Sequence, residues 1–414
     1  MHADSNMWLY HLLLRGWLHL GQDEWTVRLL SALFAVVAVP LIGMVASTLW
    51  GGSAGVVAAF LLAANLFVHY YATEARAYSL VLMLVLLSAL CYLRMLEARG
   101  VTWWLGFVLS SVASVYAHFF AILVIAVFGV ILPFRPADTV DWRRVAGSFL
   151  CIALLLLPIP LVAPLVAKLD WLPLPTTADV LKTARRLAGG TYGLVLTLLA
   201  AAALGTFARW RDETAMSRWK LAFCWLWLVF PFVFAFIYSH IVRPAFLDRY
   251  LIVCIPGLVL LASAGASVFR TAWVPAILVS VFVAQALPGY VHTHSPRPGW
   301  REAVSAVERG ARSGDQAIVF QHFYLPVVVQ YLSDYKPERL LVLPMRLGAD
   351  IPSVAEADRV WLMLEYDDRF HPGSSAQLSQ LEVRLGNEHT AVLDESYGLI
   401  RVMRYDRKRA ADGR

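Results

Sequence analysis

Ionisable side chains interrupt two long apolar runs at residues 69–80, which read HYYATEARAYSL. A carboxylate such as Glu74 can act as a general base, and an arginine such as Arg76 can bind phosphate through bidentate, charge-assisted hydrogen bonds. Ionisable residues at membrane depth are costly and tend to face a cavity or a partner, which favours a polar site that includes Tyr78. The alternative is a salt-bridged helix end within an interfacial belt of aromatic residues. The segment by itself leaves both interpretations open.

Two further breaks between apolar runs carry polar groups of the same kind. The segment YAHFF, residues 116–120, supplies His118, and the segment VRPAFLDRYL, residues 242–251, supplies Arg243, Arg249 and Tyr250. Several such groups around one cavity would suit a lipid phosphate, whereas each arginine alone is more typical of a snorkelling anchor. We therefore predict a site for phosphate or sugar that is formed by Arg76, Tyr78, His118, Arg243, Arg249 and Tyr250.

The elements that must position these residues are membrane helices. The 414 residues are 59% hydrophobic and 15% charged, and the mean hydropathy is +0.62, a balance that excludes a soluble protein. Apolar runs near 20 residues indicate a polytopic α-helical membrane protein with about ten transmembrane helices. The predicted spans are 28–49, 54–72, 77–95, 103–118, 119–134, 146–166, 190–208, 219–239, 250–267 and 271–290.

The chain divides into parts of different composition. Residues 1–290 form the predicted membrane domain, in which residues 1–25 are an interfacial amphipathic helix and loop and residues 28–290 hold the transmembrane helices. Residues 291–405 alternate helix and strand patterns, which predicts a small α/β domain, and residues 406–414 read as a basic disordered tail. The excess of basic residues lies in the membrane part, so lipid headgroups explain it and no nucleic-acid partner is predicted.

Ten spans would place the breaks described above, and both chain ends, on one side of the membrane. The connections on the other side carry ten basic residues against nine on the first side, so the positive-inside rule leans one way without deciding the orientation. Five histidines, at positions 69, 118, 240, 292 and 294, fall on the first side. His292-Thr-His294 is too short a pattern to define a metal site, so we predict none, and no certain cofactor, while a divalent cation stays open.

The motifs resemble a known family when their order and spacing are taken together. LYHLLLRGWLHLGQDEWTVRLLSALFAVVAVP, HYYATEARAYSL, VYAHFFAIL, WLPLPT and RPAFLDRYL follow one another as in the GT-C membrane glycosyltransferases. The resemblance is to the bacterial relatives of the protein O-mannosyltransferase and aminoarabinose-transferase group, also called glycosyltransferase family 39-like. It covers essentially the whole membrane part.

The resemblance implies an enzyme that transfers a hexosyl or pentosyl group, with inversion, from a polyprenyl-phosphate sugar to an unknown hydroxyl acceptor. The reaction would take place on the extracytoplasmic face of the plasma (inner) membrane, in the cell envelope. The C-terminal domain would lie on the same side of this multi-pass protein. Glu74 would be a catalytic carboxylate, and Arg76 with Arg249 would hold the phosphate.

Members of the family usually begin with another span, followed by an outer loop whose acidic pair supplies the catalytic base. We expect this chain to begin inside that loop, where Asp4 would be the remaining catalytic acidic residue. Two alternatives therefore stay open. One is an inactive or truncated relative that binds a lipid-linked sugar or a partner. The other is a transporter of a lipid-linked substrate, although the sequence lacks the Gly/Pro-broken repeats that transporters often show.

Overall fold

The computed structural model describes most of the chain as two compact units, Met1–Val291 and His292–Arg414. The described residues are 7–97, 100–136, 140–159, 174–211, 214–269, 273–292, 299–320, 324–332, 340–345, 357–365 and 374–408.

Helices make up the regular structure of the first unit, as its apolar composition predicts. An N-terminal helix, α1, covers Trp8–Trp17, and a longer helix, α2, follows it. The helices after α1 are α2 (Glu24–Trp50), α3 (Gly52–Ala63), α4 (Leu66–Ala72), α5 (Tyr78–Glu97), α6 (Val101–Ala117), α7 (Ala121–Val130), α8 (Trp142–Leu156), α9 (Thr177–Leu187), α10 (Tyr192–Trp210), α11 (Ala215–Ile241), α12 (Ile255–Ala266) and α13 (Trp273–His292). Short 3-10 segments cover Leu132–Phe134 and Tyr250–Cys254.

Each predicted span overlaps a helix or a pair of helices, but the helices differ in length. Five of them, α2, α5, α10, α11 and α13, are long and apolar enough to cross a membrane by length and composition. A sixth span results if α3 and α4, which meet at a bend of 60°, are counted as one broken span. The other apolar helices among the described residues are shorter, because polar breaks such as the one at His118 divide the apolar runs.

Stacked aromatic rings fill the centre of the first unit. The rings of Tyr92 and Phe128 are parallel at 4.9 Å, and the Tyr92 hydroxyl donates to the Phe128 carbonyl oxygen at 2.8 Å. Phe223 stacks on both of these rings, at 5.7 Å from Phe128 and 6.3 Å from Tyr92, and the Trp227 indole donates to the Val253 carbonyl oxygen at 2.8 Å. These rings therefore pack helices α5, α7 and α11 against one another.

The second unit is a small α/β domain. Its helices are α14 (Trp300–Gly310), α15 (Leu325–Tyr331) and α16 (Ser374–Glu388), and its strands are β1 (Asp315–Phe320), β2 (Leu340–Met345), β3 (Arg359–Glu365), β4 (His389–Tyr397) and β5 (Ile400–Arg407). The strand order is β2-β1-β3-β5-β4, with parallel pairs on both sides of β1 and antiparallel pairs on both sides of β5. The alternation of helix and strand that the sequence predicts is confirmed.

Strand β3 is apolar on both faces because the sheet is covered on both sides. Trp361 and Met363 pack in the cluster that contains Trp300 of α14, whereas Leu362 packs in the cluster that contains Leu381 of α16. The Trp361 indole also donates to the buried Asp315 carboxylate at 2.9 Å. The continuous apolar run of β3 is therefore typical of a central strand between two helical layers.

Candidate functional site

The turn between α4 and α5 holds Glu74 and Arg76 half-buried. Asn65 begins α4, because its side-chain oxygen accepts from the backbone N–H groups of Phe67 and Val68 at 3.0 and 3.2 Å. After α4 the chain makes a tight turn in which the Arg76 N–H donates to the Glu74 carbonyl oxygen at 2.7 Å. This turn puts both predicted residues immediately before α5.

Aromatic rings from three separate breaks meet beside this turn. Tyr78, the first residue of α5, lies 4.7 Å from the ring of Tyr71 and 5.8 Å from the ring of His118. His118 in turn lies 4.7 Å from the ring of Tyr250, which follows α11. We call Tyr78, His118 and Tyr250 the aromatic cluster; it joins the breaks at residues 69–80, 116–120 and 242–251.

His118 occupies the C-terminal cap of α6 in an extended conformation and is 2% exposed. Its Nδ1 accepts the Phe120 backbone N–H at 3.3 Å, so the neutral ring carries its proton on Nε2. This Nε2 atom is buried and has no hydrogen-bond partner among the described residues. A buried donor of this kind can bind an acceptor oxygen of a ligand.

Arg249 brings a positive charge to the same cluster. Its guanidinium lies 5.7 Å from the centre of the Tyr250 ring, and its charge acts on both Tyr78 and His118. The buried Nε atom of Arg249 also lacks a hydrogen-bond partner in the part of the chain that the structure describes. Arg76 acts electrostatically on Tyr78 as well, so two guanidinium groups border the Tyr78 hydroxyl.

An ion pair fixes the segment that carries Arg249. Asp248 accepts the Arg249 backbone N–H at 2.7 Å and pairs with Arg186 at the end of α9. The same end of α9 is attached to α4, because the Asn65 side-chain amide donates to the Leu187 carbonyl oxygen at 2.9 Å. Helix α9 therefore connects the break that carries Arg249 to the start of α4.

Helix α1 also packs against residues beside the site. The buried Tyr10 hydroxyl lies 2.8 Å from the Ser31 hydroxyl, which donates to the Arg76 carbonyl oxygen at 3.3 Å. Burial raises the pKa of Tyr10, the bond to Ser31 lowers it, and the nearby Glu74 carboxylate raises it again. Trp8 packs edge-on against Phe119 at 5.8 Å. Helix α1 thus contacts the break at His118 directly and the Glu74 turn through Ser31.

Two predicted residues are not part of this arrangement. Asp4 lies outside the described residues, and Arg243 is exposed directly after α11 rather than enclosed with the rings. The described residues contain no group of three or more His, Cys, Asp or Glu side chains that could hold a metal ion. Geometry therefore brings together Arg76, Tyr78, His118, Arg249 and Tyr250, with Glu74 in the adjoining turn.

Sequence reasoning did not single out Tyr10, Ser31 or Asn65. Asn65 does carry a signal, since an asparagine between two apolar helices favours a helix N-cap. Ser31 is a single hydroxyl residue inside an apolar run, and such a residue can occur in the interior of any helix. Its partners are set by tertiary packing, so the sequence gives no indication of its contact with Arg76.

Comparisons with known proteins agree with this architecture. The chain has the fold of the GT-C membrane glycosyltransferases. This fold is seen in the structure of ArnT from Cupriavidus metallidurans in the apo state, to which the chain is similar with a TM-score of 0.59 at 12% identity. That match covers 97% of this chain and 88% of ArnT. Within this class, residues 7–166 match the family model described as dolichyl-phosphate-mannose-protein mannosyltransferase. The predicted resemblance is confirmed, and the matched segment contains Glu74, Arg76, Tyr78 and His118.

Two other solved structures are similar at lower scores. Arabinofuranosyltransferase AftD from Mycobacteria has a TM-score of 0.47 at 16% identity, over 92% of this chain and 35% of AftD. The Archaeoglobus fulgidus oligosaccharyltransferase in complex with Zn and sulfate has a TM-score of 0.48 at 12% identity, over 87% of this chain and 59% of that protein. No curated protein sequence matches the chain. The family match supports glycosyl transfer from a lipid-linked donor as the type of activity.

Proposed function

We propose that this protein transfers a hexosyl or pentosyl group from a polyprenyl-phosphate sugar to an acceptor hydroxyl, with inversion at the anomeric carbon. The acceptor oxygen forms a bond to the anomeric carbon while the bond from that carbon to the donor phosphate oxygen breaks. Polyprenyl phosphate leaves with the bonding electron pair, and the acceptor proton passes to a base. The convergence of buried, unpartnered donors of His118 and Arg249 at the aromatic cluster carries this proposal.

The leaving phosphate gains negative charge, so fixed positive groups and donors lower the barrier. Arg249 and Arg76 supply two guanidinium groups beside Tyr78, and the His118 Nε2–H supplies a neutral donor next to them. The Tyr78 and His118 side chains beside these groups are buried, and the low local dielectric of a buried site strengthens electrostatic contacts. This composition suits a phosphate monoanion better than a neutral ligand.

Glu74 is the proposed base. It lies in the turn that ends at Tyr78, and its charge reaches the Tyr10 hydroxyl. A carboxylate within reach of the acceptor hydroxyl removes the proton as the new bond forms. The active face is proposed to be extracytoplasmic in a plasma (inner) membrane, with the α/β unit on the same side. The family match to residues 7–166, which include Glu74, supports glycosyl transfer as the type of reaction.

The test is transfer from a radiolabelled polyprenyl-phosphate sugar by membranes that contain the chain. We expect Glu74→Gln to lower the transfer rate by roughly 10²–10⁴, the usual contribution of a general base, while the labelled donor remains bound. Glu97→Gln is the matched control, because Glu97 is an exposed carboxylate at the far end of α5.

Two results would contradict the proposal. Donor binding without transfer by the unmodified chain would favour a protein that only binds the lipid-linked sugar. Movement of labelled donor across the bilayer of sealed vesicles, again without transfer, would favour a transporter.

A further inference from the structure

A second group of charged side chains lies at the other end of the membrane helices. Helix α5 begins at Tyr78 in the aromatic cluster and ends at Glu97, so its 20 residues separate the two ends by about 30 Å. At the far end the C-terminal ends of α2, α10 and α12 meet the N-terminal part of α11. This end plays no part in the proposed transfer.

The residues that connect helices at this end are strongly basic. The described residues of segments 93–97, 134–136, 140–144, 208–211 and 214–220 include eight basic and two acidic side chains. Several of these basic side chains are ordinary surface groups, since Arg94, Arg211 and Arg218 are exposed. Three others are enclosed to different degrees, and we call Arg135, Arg209 and Lys220 the basic cluster.

Arg135 is the most enclosed of the three, at 7% exposure. Its guanidinium lies 4.9 Å from the centre of the Trp219 ring, and the Trp219 indole donates to the Ile131 carbonyl oxygen at 2.9 Å. A snorkelling arginine extends its head group into water, whereas this one is held against a buried indole. Burial lowers the pKa of Arg135 because it disfavours the charged form.

Arg209 and Lys220 are anchored to the ends of neighbouring helices. Arg209 donates to the Ala264 carbonyl oxygen and to the Ser267 hydroxyl, and its guanidinium lies 4.7 Å from the Trp50 ring. Lys220 donates to the Leu49 carbonyl oxygen at 3.0 Å, directly beside Trp50. Both cations therefore sit around the end of α2.

The charges of the basic cluster act on one another. Arg135 and Arg209 both act on the Lys220 ammonium, and the Glu97 carboxylate acts on Lys220 and on Arg135. Glu97 is exposed and is also 3.9 Å from Arg94, so its single charge is shared among several cations. Like charges in a partly desolvated region are costly, and a bound anion would offset that cost.

A neutral donor completes the arrangement. The Trp50 indole Nε1–H is buried and has no hydrogen-bond partner among the residues that the structure describes. It belongs to the ring that Arg209 covers, and Trp50 directly follows Leu49, whose carbonyl oxygen Lys220 contacts. A phosphate oxygen could accept this N–H while the cations neutralise its charge.

We propose that the basic cluster binds the phosphate of an anionic membrane lipid. The three cations and Trp50 lie at the ends of apolar helices, which is the depth of the lipid headgroups. Basic pockets between transmembrane helices bind anionic headgroups, and arginine holds phosphate in a defined geometry. A free phosphate ion offers the same chemistry, so the test must separate the two sources. Lipid binding at the basic cluster does not depend on the transfer reaction.

The experiment is native mass spectrometry and thermal unfolding of the full chain in detergent, with added phosphatidylglycerol, phosphatidylcholine or inorganic phosphate. We expect phosphatidylglycerol to bind and raise the Tm, and phosphatidylcholine to do neither. Lys220→Gln should weaken phosphatidylglycerol binding by about fivefold, since one basic residue near a lipid surface contributes about 1 kcal/mol. Lys220→Arg should retain binding, which separates loss of charge from misfolding.

Arg211→Gln and Arg218→Gln are matched controls, because both residues are exposed at the same end. Equal losses in Lys220→Gln and in these controls would mean that only long-range charge attracts the lipid, and would overturn the site. Equal binding of phosphatidylglycerol and phosphatidylcholine would overturn it as well. Binding of inorganic phosphate with the same dependence on Lys220, without binding of phosphatidylglycerol, would reject a lipid as the occupant and overturn the proposal.

Discussion

The Tyr10 hydroxyl of α1 lies 2.8 Å from the Ser31 hydroxyl of α2, and both side chains are buried. Ser31 also donates to the Arg76 carbonyl oxygen at 3.3 Å. Helix α1 is therefore attached to the turn that carries Glu74 and Arg76 through two hydrogen bonds. Since the backbone of that turn sets where both charged side chains lie, α1 positions groups that it does not touch.

Replacing Ser31 with alanine should loosen this attachment. Ser31→Ala leaves the Tyr10 hydroxyl and the Arg76 carbonyl oxygen without this partner, and we expect the free energy of unfolding to fall by about 1–3 kcal/mol. The transfer rate should fall further than stability alone explains, because the Glu74 turn shifts. Tm and initial rates for the purified chain measure both effects.

Thr48→Ala is the control for this variant. Thr48 is a hydroxyl residue in the same helix, and it bonds the Met44 carbonyl oxygen at 2.9 Å, far from the turn. An equal loss of activity in both variants at matched stability would show that Ser31 has no positioning role.

Arg249 and Arg243 allow a paired test of the proposed phosphate site. They have the same side chain and lie six positions apart, but Arg249 borders Tyr78 and His118 whereas Arg243 is exposed. We expect Arg249→Gln to lower the transfer rate by about 10²–10³, the usual cost of losing one group that stabilises a developing anion. Arg243→Gln should change it by less than about threefold, as expected for an exposed anchor.

Steady-state rates with a labelled polyprenyl-phosphate sugar measure this difference. Arg249→Lys should recover part of the rate, because it restores the charge without the bidentate geometry. A larger effect at Arg243 than at Arg249 would move the phosphate site away from the aromatic cluster.

The start of α9 should respond to acid. The Thr176 backbone N–H and hydroxyl both donate to the Asp179 carboxylate, at 2.9 and 2.8 Å, and the Thr176 backbone bond is the main cause that lowers the pKa of Asp179 below 3.8. A lowered folded-state pKa stabilises the fold above the unfolded value near 3.8, and this contribution is lost as the pH falls through the folded value.

Asp179→Asn should therefore lower the stability at pH 7 by about 0.3–1 kcal/mol, the usual effect of one charge at a helix N-terminus. The Tm difference from the unmodified chain should shrink as the pH falls below 3.8. Thermal unfolding in detergent at several pH values checks this. A Tm difference that stays constant with pH would mean that the charge of Asp179 is not the cause.

The sequence predicts the large features of this protein because they follow from hydropathy. Apolar runs locate the helices of the first unit, and alternating patterns locate the strands of the second. The three polar breaks were also expected on one side, and the rings of Tyr78, His118 and Tyr250 do meet. Sequence could not separate Arg249 from Arg243, because both follow α11. Only the path of the chain after Ile241 leaves Arg249 half-buried and Arg243 exposed.

Helices α10 and α12 are in backbone-to-backbone contact at Gly205 and Gly265. A Cβ atom at Gly265 would lie 1.9 Å from the Ala201 carbonyl oxygen, and one at Gly205 would lie 2.5 Å from the Gly265 nitrogen. Small residues allow transmembrane helices this close approach, which no side chain movement can relieve. Gly265→Ala should therefore lower the free energy of unfolding by about 1–3 kcal/mol, as overpacking does. Gly147→Ala in α8 meets nothing within 4 Å, so it should be neutral or stabilise the helix by up to about 1 kcal/mol. Tm values of the two purified variants decide the matter, since an equal response would mean that the helices can separate at little cost.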